Sequence, residues 1–286
     1  MTRRAFLTGL IGAPIAHSAA PAMHEQAADD LGVRCHYQLV ETARAGEQEL
    51  RVLLDGVRRL GFAGVNVTYP YKEAVVGLLD ELSPDAAAIG AVNTVVVRDN
   101  RLIGYNTDKT GFGRAAARMI AESPRGSVAV IGTGGVGKAI AFALVRLGVP
   151  ELRIFDADRA KAENLALILK AHCRAIVADS VEDVVGGVIG LVNATPVGML
   201  PDRGTPVPEG LLHHGLWVTD AVYFPVWTPL LRAAKIKGAR VMTGRELAIY
   251  QAADAFELFT GLAPSTDEMG NAFDRVMGRD RTDCAH

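Results

Sequence analysis

The sequence predicts an α/β protein of two domains, the second built on a parallel sheet. Three observations lead there. Segments with strand and helix patterning alternate along nearly the whole chain. A glycine-rich turn, Gly132-Thr133-Gly134-Gly135-Val136-Gly137, joins a β-branched run to a helical run rich in alanine and valine. The 286 residues are more than one compact core usually organises.

The elements follow in order. MTRRAFLTGLIGAPIA carries twin arginines ahead of an apolar run, in the manner of an export signal. That run is short, rich in β-formers and broken by Gly9, Gly12 and Pro14, so residues 5–12 read as a first buried strand and the chain as cytoplasmic. PAMHEQAADDLG (21–32) reads as a helix stopped by Gly32, and CHYQLVE (35–41) as a strand. EQELRVLLDGVRRLG (47–61) has helical spacing and ends on glycine. FAGVNVT (62–68) is a short strand and KEAVVGLLDEL (72–82) a helix. Residues 91–108 form a β-hairpin turning at Asp99-Asn100.

From about residue 109 a helix leads into the strand SVAVIG, the helix 134–149, the strand ELRIFD and the helix 158–172. RAIVAD, VEDVVG, IGLVNATP, LWVTDAVY and ARVMT continue the alternation, which predicts a parallel sheet covered by helices on both faces. The last long helix, 244–261, is expected to return to the first domain. The polar tail after about residue 278 is expected to fray.

Composition narrows the function. Apolar residues make up 49% of the chain and charged residues 22%, with a net charge of −2. There is no basic stripe to suit a nucleic acid, and no apolar run long enough to span a bilayer. Cys35, Cys173 and Cys284 are far apart and form no CxxC, so they read as free thiols in a reducing compartment, with neither a disulfide framework nor a metal site. His24, on a predicted helix, reads as structural, and His213-His214 as an exposed turn. Monomer and homodimer both remain open.

The glycine turn carries the cofactor argument. It follows a strand, opens a helix, and has an acidic residue, Asp156, at the end of the next strand. Gly132 makes the tight turn, Gly134 lets backbone approach a pyrophosphate, and Gly137 lets the helix lie on the sheet. The helix N-terminus offers free N–H groups to phosphates. Asp156 suits the adenosine ribose hydroxyls and would repel a 2′-phosphate. The expected cofactor is therefore NAD, with NADP less favoured. Arg159 is the nearby cation that could offset the repulsion.

A second cluster suggests proton transfer. Lys72, Asn93 and Asp108 fall in polar loops after apolar strands. At the start of a helix, Lys72 would face the positive end of the dipole, which eases loss of its proton. A Lys–Asp pair can hold a substrate hydroxyl and take its proton while hydride leaves the carbon.

NVTYPYKE, GAVNTV and the NTD of GYNTD, with PIAHSAAP and GTGGVGKA, resemble the shikimate dehydrogenase family, including its quinate/shikimate members. NATPVGM (193–199), DAVYFPVWTPLL (220–231) and GRELAIYQAADAF (244–256) match later family segments in the same order. The resemblance implies a substrate domain of residues 1–108 plus 245–286. It also implies a Rossmann dinucleotide-binding domain, 109–244, and a C-terminal helix that returns to the first domain. Lys72 and Asp108 would be the catalytic pair. Ser18, Asn66, Thr68, Asn93, Tyr223 and Gln251 would contact a small cyclic polyhydroxy carboxylic acid. Gly132, Thr133, Gly134, Gly135, Val136, Gly137, Asp156 and Arg159 would meet the nucleotide, with Thr195, Pro196, Val197, Met199, Val222, Gly244 and Leu247.

Three positions depart from the family pattern. Ala20 stands where a second hydroxyl residue usually follows Ser18, a loss of about 1.5–3 kcal/mol of binding unless water replaces it. The same change opens room near ring carbon 1, where quinate carries a hydroxyl. Tyr105 stands where biosynthetic members often have Asp. Asp156-Ala157 replaces the polar residue and arginine typical of NADP users. The implied reaction is NAD-dependent interconversion of shikimate or quinate with its 3-dehydro ketone. The alternatives are an NADP-dependent biosynthetic enzyme and, in another class, a nucleotide-sensing regulator without catalysis.

Overall fold

The structure is a computed structural model and describes residues 4–279. Most of the polar tail, and Cys284 with it, lie outside the described residues. The chain divides into two compact units. One holds the residues up to Gly111 and those from Ile249 onward, and the other holds Phe112–Ala248.

The first unit contains β1 (Ala5–Gly12), α1 (Ala20–Asp30), β2 (Arg34–Glu41), α2 (Glu47–Arg59), β3 (Gly64–Val67), β4 (Glu81–Leu82), α3 (Pro84–Ile89), β5 (Thr94–Arg98), β6 (Arg101–Tyr105) and the start of α4 (Thr107–Ala121). Its mixed sheet has the order β2-β1-β3-β5-β6-β4. The β5–β6 hairpin turns at Asp99 and Asn100, both at positive φ (49° and 60°). Asn and Asp tolerate that geometry, and a tight hairpin requires it. Ile11, Leu50, Leu54, Val65, Val67, Val95 and Leu102 form the core under this sheet.

The expected helix over 72–82 is absent. Only Val76–Leu78 make a short 3₁₀ turn, and Glu81–Leu82 become β4 instead. The Asp80 N–H donates to the Leu102 carbonyl at 3.0 Å, and its carboxylate accepts from the Leu102 N–H at 2.7 Å. Arg58 pairs with Asp80 at 3.4 Å. Pairing with β6 therefore outcompetes local helix propensity. The helix-dipole argument for Lys72 falls with that helix.

Three helices have no counterpart in the sequence reading: α3, α8 (Pro229–Ile236) and α10 (Thr266–Arg279). In α3, Ser83 accepts from the Ala86 N–H, Pro84 occupies the first turn, and Gly90 closes the helix at φ 70°. α10 buries Met269, Phe273 and Met277.

The second unit contains β7 (Ser127–Ile131), α5 (Gly135–Arg146), β8 (Glu151–Phe155), α6 (Arg159–Leu169), β9 (Arg174–Val177), α7 (Val181–Val185), β10 (Gly190–Asn193), β11 (Trp217–Asp220), α8 (Pro229–Ile236) and β12 (Arg240–Met242). Its six strands are all parallel, in the order β12-β11-β10-β7-β8-β9. Strand order reverses between β7 and β10, the switch point where such sheets hold ligands at their carboxyl ends. The division between units falls inside α4 and again inside α9 (Gly244–Thr260). Among the described residues no helix is long and apolar enough to cross a membrane.

Candidate active site

In the first unit Lys72 and Asp108 meet. Lys72 Nζ donates to Asp108 Oδ2 at 2.6 Å, with the two side chains 16% and 6% exposed. Lys72 follows a turn anchored on both sides. Its carbonyl accepts from Val92 N–H at 2.8 Å. The neighbouring Tyr71 hydroxyl donates to the Thr42 carbonyl at 2.6 Å and accepts from Ala45 N–H at 2.8 Å. Asp108 lies in the first turn of α4. A nearly dry ion pair of this kind has little solvent screening, and a substrate hydroxyl reaching it would exchange its proton with a fixed partner.

A buried amide network holds that turn of α4. Asn93 Oδ1 accepts from Thr107 N–H at 2.7 Å and from the Thr94 hydroxyl at 3.1 Å. Asn93 Nδ2 donates to Thr107 Oγ1 at 2.9 Å and to Gln251 Oε1 at 3.4 Å. Asn66 Nδ2 donates to the Asn93 carbonyl and to Thr94 Oγ1, while its Oδ1 accepts from the Tyr37 hydroxyl at 2.8 Å. Asn106 Nδ2 donates to the Ala91 carbonyl, and its Oδ1 accepts from Lys109 N–H. Both Asn66 and Asn93, expected as substrate contacts, thus spend their amides on protein partners, and one partner of Asn93, Thr107, is the residue before Asp108. Thr94, Thr107, Asn106 and Tyr37 complete the network and were not singled out from the sequence. Thr107 and Asn106 stand inside the NTD segment itself.

The remaining first-unit positions are less committed. Ser18 Oγ accepts from Ala20 N–H at 3.2 Å at the start of α1. Ala20 is buried in an apolar cluster with Leu10, Ile15 and Tyr37. Thr68 presses on Gly12, where a Cβ would lie 2.3 Å from the threonine methyl, so only glycine fits. His24 is fully buried, its ring 4.6 Å from that of Tyr37 and near Phe256 and Phe259. Among the described residues both its ring nitrogens lack a hydrogen-bond partner, and burial pushes its pKa down to about 3. It is a neutral packing residue, not the hydrogen-bonded one a buried histidine usually is.

The second unit carries the glycine turn. Gly132 has φ +93°, and a Cβ there would strike Ala194 and Thr195. A Cβ on Gly137 would lie 2.1 Å from the Gly132 carbonyl oxygen. A Cβ on Gly134 would meet no atom of the described residues within 4 Å. The turn is thus closed by two glycines and open at the third, and α5 starts there with free N–H groups. Asp156 Oδ2 accepts from the Thr133 N–H at 2.7 Å and hydroxyl at 2.8 Å, and Oδ1 from Asp158 N–H at 2.9 Å. Thr133 is fully buried and orients Asp156. These residues fit a dinucleotide: an open backbone cradle for the pyrophosphate and a fixed carboxylate for ribose hydroxyls.

Thr195, Pro196, Val197 and Met199 follow β10, and Val222 and Tyr223 follow β11, so both segments leave the same carboxyl edge. Gly244 lies against Val222, whose carbonyl oxygen would be 2.4 Å from a Cβ, and Leu247 is buried. Arg159 pairs with Glu163 at 2.8 Å and also with Asp179.

Known proteins match this arrangement. The shikimate dehydrogenase substrate binding domain matches residues 10–95. A quinate/shikimate dehydrogenase (NAD(+)) of Corynebacterium efficiens is 43% identical, covering 96% of this chain and 99% of the relative. A shikimate dehydrogenase (NADP(+)) of Streptomyces avermitilis is 42% identical, covering 94% and 95%. The quinate dehydrogenase of Corynebacterium glutamicum, solved in complex with NAD, superposes with a TM-score of 0.86 at 41% identity over 95% of this chain and 99% of that one. A glycine cradle with a fixed carboxylate on one unit, a buried Lys–Asp pair on the other, and full-length relatives of this identity place the chain among the oxidoreductases of the shikimate dehydrogenase family.

Proposed function

We propose that the protein oxidises the hydroxyl of a cyclic polyhydroxy carboxylic acid, shikimate or quinate, with NAD. The observation that carries this reading is the 2.6 Å pair of Lys72 and Asp108 in a site with almost no solvent. NAD, when bound, takes up the hydride. The Lys72–Asp108 pair accepts the hydroxyl proton as hydride leaves the carbon, and the contact between the two side chains holds them in place for it. The reverse sequence reduces the ketone. Asn93 and Thr107 keep Asp108 in place, and Ser18, Thr68 and Gln251 orient the acid.

Two features support NAD over NADP. Asp156 is held in place by Thr133 and Asp158, and a carboxylate at the end of this strand disfavours a 2′-phosphate. Arg159, close to Asp156 in sequence and able to offset the carboxylate, pairs with Glu163 and Asp179. The second reading, an NADP-dependent shikimate dehydrogenase, is favoured by the name of the Streptomyces avermitilis relative. Initial rates in a two-by-two matrix, shikimate or quinate with NAD or NADP, decide between them. The expected result is activity with NAD and appreciable use of quinate. Activity confined to NADP and shikimate overturns the proposal.

A further inference from the structure

The second unit contains a buried carboxylate that the proposed chemistry does not use. Asp220 ends β11 and is 2% exposed. Asp220 Oδ1 accepts from Asn193 Nδ2 and from Val222 N–H, both at 2.9 Å. Its Oδ2 accepts from the Thr228 hydroxyl at 2.7 Å, and Thr228 caps α8. Among the described residues these partners are all neutral. Burial accordingly pushes its pKa up to about 6, although all three hydrogen bonds pull the other way. A buried charge with no counter-ion is expensive to keep for packing alone.

The bonds around it run in one direction. Val197 N–H donates to Thr195 Oγ1 at 3.1 Å, and the Thr195 hydroxyl donates to Asn193 Oδ1 at 2.7 Å. Thr195 N–H donates to the same Asn193 oxygen at 3.0 Å. At its other end Asn193 Nδ2 donates to the Val197 carbonyl and to Asp220. Asn193 and Asp220 are register partners at the ends of adjacent strands. An amide has a donor end and an acceptor end of nearly the same shape. A carboxylate carries no proton and accepts only, so it dictates that the NH₂ end faces it. The carbonyl end is then left for Thr195.

We infer that Asp220 is a positioning residue for the nucleotide: by fixing the polarity of the Asn193 amide it sets the shape of the 194–199 segment, and through Val222 and Thr228 it ties that segment to the one after β11. The inference rests on the proposed reading that Thr195–Met199 and Val222 border the cofactor. Asp220 touches neither cofactor nor substrate in this role.

The test is titration calorimetry with NAD on three variants, with hydrogen exchange of the backbone. Asp220→Ala weakens NAD binding about tenfold, the size of one lost hydrogen bond to a charged group, while kcat at saturating NAD falls less. Asp220→Asn keeps an oxygen for Asn193 and Val222 and recovers affinity to within about threefold of the unaltered protein. The Thr195 and Val197 amides exchange faster in Asp220→Ala and stay protected in Asp220→Asn, with β7 amides unchanged in both. Asn193→Ala cuts the chain one bond further on and gives the same loss of NAD affinity, so the test stands even if Asp220→Ala does not fold. Unaltered NAD affinity in Asp220→Ala or Asn193→Ala overturns the inference, and so does an Asp220→Asn variant as weak as Asp220→Ala. Thr195→Val and Gly134→Ala in the same titration separate the two levels. If they weaken NAD binding and Asp220→Ala does not, positioning fails alone. If none of the variants matters, the nucleotide reading fails with it.

Discussion

The two units prepare their ligand surfaces by opposite means. Around Lys72 and Asp108 the first unit uses side chains that hold one another, with Asn66, Asn93, Thr94 and Thr107 all buried and hydrogen-bonded together. Around the glycine turn the second unit uses the lack of side chains. A Cβ on Gly137 would lie 2.1 Å from a carbonyl oxygen, and a Cβ on Gly134 would point into open space. The first surface is damaged by taking polar atoms away, because a buried partner is then left unsatisfied. The second is damaged by adding a carbon. The same chain thus needs two kinds of substitution to probe it.

The largest effect is expected on the first surface. Lys72→Ala and Asp108→Asn should each lower kcat by about 10²–10⁴-fold, the range for removing a positioned acid–base group, with NAD affinity intact by titration. A kcat within threefold of the unaltered enzyme sinks the pair's assignment.

On the second surface two alanines should behave differently. Gly137→Ala forces backbone apart and should cost about 1–3 kcal/mol of stability in denaturant unfolding, as overpacking does. Gly134→Ala should leave unfolding unchanged and weaken NAD binding only. Equal stability losses would mean that the open space at Gly134 is not where the nucleotide approaches.

Asp156→Asn removes a charged acceptor, and its effect on NAD should be about 1.5–3 kcal/mol, with NADP less disfavoured than before, as read from the ratio of kcat/KM values. No change in that ratio would detach Asp156 from cofactor choice.

The smallest effect concerns pH. The pKa of Asp220 rises from 3.8 in the open chain to about 6 when folded, chiefly through burial. The folded state then binds more protons than the unfolded state between those values, so this group's contribution to stability falls as pH rises from 3.8 to about 6. Asp220→Asn should flatten that part of the stability profile. A profile that keeps its slope in the variant assigns the titration to another group.

What the sequence made legible follows the same contrast. The glycine turn with Asp156, and the hairpin at Asp99-Asn100, rest on local backbone rules that neighbouring residues write out in full. The family resemblance pointed to Lys72 and Asp108, but only the fold brings them to 2.6 Å. Asn93 reaches Gln251, which lies 158 positions away, and no local pattern reveals such a contact. Residues 72–82 have helical spacing, yet the pairing of Asp80 with Leu102 turned their end into a sheet edge. α3 was missed although its cap, proline and closing glycine stand in plain order at Ser83, Pro84 and Gly90. Asp220 gave no signal, since burial and not residue type makes it unusual.

The first unit is assembled from the two ends of the chain, with Phe112–Ala248 inserted between them. On a ribosome the inserted unit is complete before its host is. The parallel sheet of β7 to β12 can fold while α1 still lacks its late neighbour. Arg275 of α10 reaches Gln26 of α1, and Met269 and Phe273 are fully buried. Until those residues emerge, apolar surface in the N-terminal third stays open to water and to other chains. The unit begun first is therefore closed by α10 only after the inserted unit has been made.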